Sequence, residues 1–267
     1  MRIIDAHVHL WDVDVVPLPW FRDDLDLPRR ASAAELGSAL RRSGVSSAVA
    51  VQAADSLAEA AWLTGIAERD PMVRRAVLQY APAPGSPLGR TSAALGPVVA
   101  GLRAAIPQFA ADLSDVAGLD ALAAALGDAG LVLELLLRPE QLPGAAALAH
   151  RHPGTAIVVC HLGLASAASD PDWFRNLRRL AAEPNAHAKT SGLVHDGRSG
   201  DELGRILASA VDAFGTHRLL HGTDWPLSAR TVPYAEVARR IADALPALSS
   251  AEAEALWAGT AARLYGL

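Results

Sequence analysis

The sequence predicts an α/β protein, a single (β/α)8 TIM barrel spanning residues 1–267. Three observations carry the prediction. Short runs rich in Val, Ile and Leu recur roughly every 25–40 residues, the spacing of a strand plus a helix. The stretches between them are rich in Ala, Leu and Arg at helical spacing. Polar, chemistry-bearing residues stand at the C-terminal ends of one run after another, where such barrels keep their catalytic groups.

The eight strand runs are 3–10, 46–52, 73–80, 98–104, 131–137, 156–161, 186–190 and 218–223. Several are apolar almost throughout, as parallel strands covered on both faces must be. Three helices open on a capping-box pattern, Ser32 with Glu35, Ser56 with Glu59 and Ser249 with Glu252. In each the serine accepts from the N3 amide and the glutamate reaches back to the cap. Further helices are expected over 115–129, 139–150, 171–183, 201–214, 233–245 and 251–264. Gly44 and Gly130 stand where a helix hands over to a strand, as C′ glycines do. An open doubly wound sheet is the competing architecture, but no glycine-rich phosphate turn follows an early run. The long segment 12–30, with Trp20 and several prolines, reads equally as a lid over the mouth or as a surface connection.

Composition removes several functional classes. A single cysteine excludes an intramolecular disulfide framework and a cysteine-rich zinc module. A net charge of −5 with 5% aromatic residues offers neither a basic field nor stacking platforms for nucleic acid. The N-terminal run is broken by Asp5, His7, His9 and Asp12, which no signal peptide tolerates, and no apolar run reaches membrane-spanning length. The expectation is a cytoplasmic protein with a small-molecule substrate, no nucleic-acid or membrane partner, and a homo-oligomeric state left open.

The strand ends supply the candidate site. His7 and His9, two apart on a strand, share a face and can hold a metal or polarise one oxygen. A second H-x-H, His150 and His152, ends a helix, where such side chains diverge, and is read as structural. The second and third runs end in Gln52 and Gln79, the fourth in Arg103, the sixth in His161 and the seventh in Lys189. Glu134, amid LVLELLL, must be paired, protonated or metal-bound. Asp224 follows the eighth run in HGTDWP, where Pro226 stiffens the turn. Cys160 and His161 are neighbours on a strand, so a Cys–His nucleophilic pair is not expected.

Taken in order, DAHVHLWD, GLR, CHLG, KTSGL, HGTDWP and AARLYGL resemble the amidohydrolase superfamily. More narrowly they resemble its amidohydrolase-related group, which includes sugar lactonases and 2-pyrone-4,6-dicarboxylate lactonase. The resemblance spans the whole chain and implies a barrel that hydrolyses a cyclic ester. It implies Asp224 as general base and acid with His161 as its catalytic partner. It implies a mononuclear divalent metal, zinc by preference, on His7, His9, Glu134 or His161, and Asp224, with metal-independent catalysis as the alternative. Arg103, Lys189, Gln52, Trp11, Trp20 and Trp225 are then the substrate-binding candidates. The fourth run lacks a lysine to bridge two metals, so a binuclear centre is not expected. Cys160, His221, Thr223 and Thr260 depart from the group's pattern, which has Asp, a bulky apolar residue, Ser and Asn there. Other outcomes are a metal-dependent decarboxylase of an aromatic or unsaturated acid, or a non-catalytic ligand-binding barrel.

Overall fold

The computed structural model describes residues 2–80, 96–164, 167, 169–194, 198–230 and 232–267. Eight parallel strands form one sheet in the order β1 (Ile4–Val8), β4 (Ser47–Val51), β5 (Val73–Tyr80), β6 (Val99–Ala105), β7 (Val132–Leu136), β8 (Ile157–Val159), β9 (Ala186–Lys189) and β10 (Leu219–Leu220). The last strand returns to the first. Ala6 N–H donates to the His221 carbonyl at 2.9 Å, and Asp224 N–H to the His7 carbonyl at 2.8 Å. The sheet is therefore a nearly closed barrel, as expected for alternating β and α units.

Helices α1 (Ala33–Arg42), α2 (Leu57–Arg69), α3 (Leu119–Asp128), α4 (Leu142–Arg151), α5 (Pro171–Ala181), α6 (Gly200–Phe214) and α7 (Tyr234–Ala244) separate the strands. Two short helices, α8 (Ser250–Glu254) and α9 (Thr260–Tyr265), flank a π-helical turn at Ala255–Gly259. Side-chain alternation sorts each strand between two layers. On β4, Val49 and Val51 join Ile4, Val77, Val132, Val158 and Leu220 in one cluster, closed by Ala258, Ala261 and Tyr265. Ala48 and Ala50 belong to the other cluster, with Leu36 of α1 and Leu63 of α2. C-terminal residues thus seal one end of the barrel and leave the strands' C-terminal end for chemistry.

Several local expectations need correction. Ser56 caps α2, but Glu59 does not reach back to it; its carboxylate accepts from Ala53 N–H at 2.7 Å and Ala54 N–H at 2.8 Å instead. The reciprocal box forms at Ser32–Glu35 and Ser249–Glu252. The expected helix 115–129 begins later, at Leu119, because Asp115 turns back to accept from Ala110 N–H at 2.9 Å. The run 156–161 stops as a strand at Val159, where His161 and Leu162 adopt φ 55° and 53° and turn the chain. The run 218–223 is strand only at Leu219–Leu220, since its later residues bond singly to β1.

Segment 12–30 is tied down at both ends. Two-residue strands β2 (Trp11–Asp12) and β3 (Arg30–Ala31) pair antiparallel across its base. Trp11, Leu18, Ala31 and Ala54 form a small core beneath it, with Trp20 and Trp225 packed alongside. No helix of the described residues is long and apolar enough to cross a membrane.

Candidate active site

β1 delivers His7 and His9 to the end of the barrel, and the loop after β10 swings Asp224 across to meet them. Asp224 has φ 64°, an uncommon conformation that aspartate tolerates better than most residues. Its Oδ1 lies 3.5 Å from His7 Nε2 and 3.4 Å from His9 Nε2. The two Nε2 atoms are 3.2 Å apart. All three residues are buried, at 0%, 4% and 1% exposure.

That triangle is the right size for a metal. Ligands about 2.0–2.2 Å from a tetrahedral zinc stand about 3.3–3.6 Å from one another. His9 is also oriented for ligation, since its Nδ1 lies 2.7 Å from the Val51 carbonyl and Nε2 is left toward the site. The donor set of two imidazoles and a carboxylate therefore fits a divalent cation. Burial, followed by the Lys189 charge and the neighbouring His161, pushes His7 well below the usual histidine range, so its ring is neutral. His161 packs against His7 with the rings tilted by 51° and centroids 4.8 Å apart, and its Nδ1 is 2.9 Å from Ser191 Oγ.

Glu134 sits deeper. Its Oε1 accepts from Lys189 Nζ at 2.6 Å and from Tyr265 Oη at 2.7 Å, and its Oε2 faces Cys160 Sγ at 3.5 Å. Glu134, Cys160 and His7 form a second group whose ligand atoms lie within 4.8 Å of one another. The Cys160 thiol is pushed up to about 12, chiefly by burial and then by the Glu134 charge, so it is protonated. No Cys160–His161 pair forms, because the thiol points to Glu134 while the imidazole lies between His7 and Ser191.

Two of the expected substrate contacts, Lys189 and Gln52, lie buried with partners within the chain. Lys189 is fully buried, with Nζ on Glu134 Oε1, on the Ala6 carbonyl at 2.8 Å and beside His7 Nδ1 at 3.4 Å. Gln52 is also fully buried; its amide donates to the Ala54 and Ser56 carbonyls and accepts from Gln79 N–H. Both side chains spend their polar atoms on the chain itself. Arg103, also buried at 5% exposure, is braced against the same turn. Its Nη2 donates to the Gln52 carbonyl at 2.6 Å and its Nε to Gln79 Oε1 at 3.3 Å. A guanidinium has five donors, and these two bonds use two of them among the described residues.

Of the tryptophans, Trp20 and Trp225 are half-buried beside the site, whereas Trp11 is 1% exposed and supports Trp20 from behind. Trp20 Nε1 donates to the Ala53 carbonyl and Trp11 Nε1 to Pro28, which ties segment 12–30 to the mouth. His150 and His152 pair with Glu183 and Asp120 on the surface, as a structural reading requires. Sequence reasoning missed Gly192. A Cβ there would collide with the His161 ring, standing 2.7 Å from its Cγ. The missing side chain is what admits the imidazole, and the glycine of KTSGL was the available signal.

An amidohydrolase family model matches residues 4–267. An L-fucono-1,5-lactonase from Burkholderia multivorans is 32% identical over 99% of this chain and 96% of its own length. An L-fucono-1,5-lactonase from Burkholderia ambifaria is also 32% identical, over 84% of this chain and 80% of its own. Among solved structures, a Burkholderia multivorans amidohydrolase crystallised with bound zinc has a TM-score of 0.87 at 30% identity, covering 100% of both chains.

Proposed function

The chain belongs to the amidohydrolase family, and from that premise we propose that it hydrolyses the cyclic ester of a sugar acid, a 1,5-lactone of the L-fuconolactone type. The observation that carries the reading is the buried triangle of His7, His9 and Asp224 at the strand ends of such a chain. The decarboxylase alternative has no separate observation in its favour.

In this reading His7, His9 and Asp224 would hold one divalent cation, zinc by preference, with His161 packed beside them. When bound, that ion supplies Lewis-acid polarisation of the ester carbonyl and a more acidic water. Glu134 is assigned to Lys189 and Tyr265 rather than to the ion. Asp224 takes the proton of the attacking water and returns it to the ring oxygen as the ester bond breaks. His161, held by Ser191, donates a hydrogen bond to the carbonyl oxygen as charge develops there. Arg103 orients the lactone through its remaining guanidinium donors, which suit a carbonyl or a sugar hydroxyl. Trp20 and Trp225 wall the ring and exclude water.

Acid release from L-fucono-1,5-lactone and related aldonolactones, followed with a pH indicator, tests this directly. Asp224→Asn should lower the rate by about 100-fold or more, in the range of a lost general base. Hydrolysis surviving within about tenfold would remove Asp224 from that role. Chelator treatment followed by elemental analysis tests the ion, and full activity in metal-free protein would reject it.

A further inference from the structure

We propose that Lys189 is a positioning residue that fixes the tautomer of His7 and thereby weakens the site's hold on a divalent cation. The proposal rests on His7 as a ligand in the reading above, but not on which lactone is cleaved.

An ammonium has three protons and no lone pair. Lys189 Nζ directs them at Glu134 Oε1 at 2.6 Å, the Ala6 carbonyl at 2.8 Å and His7 Nδ1 at 3.4 Å. His7 Nδ1 must therefore be the accepting nitrogen, and the ring's single proton resides on Nε2. The same logic gives His9 the opposite assignment. The Val51 carbonyl can only accept, so His9 carries its proton on Nδ1 and a lone pair on Nε2. The two rings are then complementary, and His7 Nε2–H donates to His9 Nε2 across 3.2 Å. One directed chain runs from Lys189 through His7 and His9 to the Val51 carbonyl.

A ligating histidine is ordinarily wired the other way, with its far N–H donating to a carboxylate or carbonyl. His9 obeys that rule and His7 breaks it. The carboxylate that would satisfy His7 is nearby, since Glu134 has an oxygen within 4.8 Å of a His7 ring nitrogen. Lys189 holds the Oε1 of that carboxylate and presents donors to His7 in its place. A cation binding at His7 Nε2 must displace the proton from that nitrogen, and the other nitrogen faces an ammonium. The consequence is a cation held more loosely than its ligand set alone would allow. In the metal-free state His7 is a hydrogen-bond donor aimed at His9 and Asp224.

The test reads the tautomer in metal-stripped, histidine-15N-labelled protein through long-range nitrogen–proton correlation spectra. We expect an Nε2–H ring that is assigned to His7 by its loss in His7→Gln. Lys189→Met should convert that ring to the Nδ1–H form and tighten zinc binding, measured by chelator competition, by about tenfold or more. Because Lys189→Met strands the Glu134 charge in the core, the double variant Lys189→Met/Glu134→Gln is the second arm. Its amide oxygen can accept from His7 Nδ1–H without a buried charge. An Nδ1–H ring at His7 in the unaltered protein would overturn the proposal. So would a zinc affinity in the folded double variant within about twofold of the original. Neither readout depends on lactone turnover, so failure here is distinct from failure of the lactonase reading.

Discussion

Asp5 shows how one residue fixes the catalytic geometry without touching a substrate. It is fully buried and accepts four hydrogen bonds, from Thr223 Oγ1 at 2.6 Å, Tyr234 Oη at 2.8 Å, Thr223 N–H at 3.0 Å and His7 N–H at 3.1 Å. Burial raises its pKa while these donors oppose the rise. The network ties β1 to the chain just before Asp224, so the histidines and the carboxylate are placed by one clamp. Tyr234→Phe removes one donor and should cost about 1–3 kcal/mol, measured by urea unfolding. Thr223→Val should cost more, because Thr223 Oγ1 also accepts from Trp225 N–H at 3.2 Å. Unfolding midpoints unchanged in both variants would mean the clamp is idle. Thr223 departs from the group's serine but keeps the hydroxyl, and the hydroxyl is what Asp5 uses. His7, His9 and Asp224 were legible in the sequence because strand alternation and strand-end position depend on local order alone. The true partners of Lys189 were not legible, since Ala6 and Glu134 lie 183 and 55 residues away.

At the scale of elements, the turn from β4 into α2 is braced by Glu59 rather than by a standard cap. Its carboxylate is 1% exposed and accepts two backbone N–H groups that would otherwise be orphaned. Burial raises its pKa and the Ala53 and Ala54 bonds counter this. Glu59→Gln puts an amide donor against one of those N–H groups and should cost about 2 kcal/mol, the scale of a charged hydrogen bond. Glu252→Gln, at an exposed cap, should cost less than about 1 kcal/mol. Equal destabilisation of the two variants in thermal or urea unfolding would refute the distinction. The turn also carries Gln52, whose carbonyl holds Arg103, so the variant should raise KM for the lactone more than it lowers kcat. The strand and helix order was legible because period and punctuation are local signals. The ends were not. Glu59 and Asp115 each prefer a backbone partner that only the folded chain brings near, and the turn after Val159 rests on positive φ at His161 and Leu162, which residue type does not announce.

The whole molecule carries an acid sensitivity outside the site. His221 is fully buried against Trp257, ring centroids 4.4 Å apart, and neither ring nitrogen has a hydrogen-bond partner among the described residues. Burial lowers it from 6.5 to about 3. His187 is lowered to about 4, by burial first, with Arg263, Arg218 and His217 adding to the shift. The sign follows from proton counting. Between the folded values and 6.5 the unfolded chain binds a proton at each histidine that the folded chain does not, so stability rises with pH across that window. It is therefore lost as pH falls below 6.5 toward 3–4, with each unit of depression worth about 1.4 kcal/mol. Asp5 and Glu59, raised by burial, work in the opposite sense at the acid end, so the net curve alone cannot isolate a histidine. The difference between the protein and His221→Phe can, because both share every other group. Phenylalanine has no nitrogen to leave unsatisfied and packs on the same indole, in the place the group gives to a bulky apolar residue. His221→Phe should be the more stable protein at pH 8, and its advantage should widen by at least about 1 kcal/mol at pH 5. Urea unfolding at the two pH values measures this, and an advantage independent of pH would show that His221 does not titrate between the folded and unfolded states.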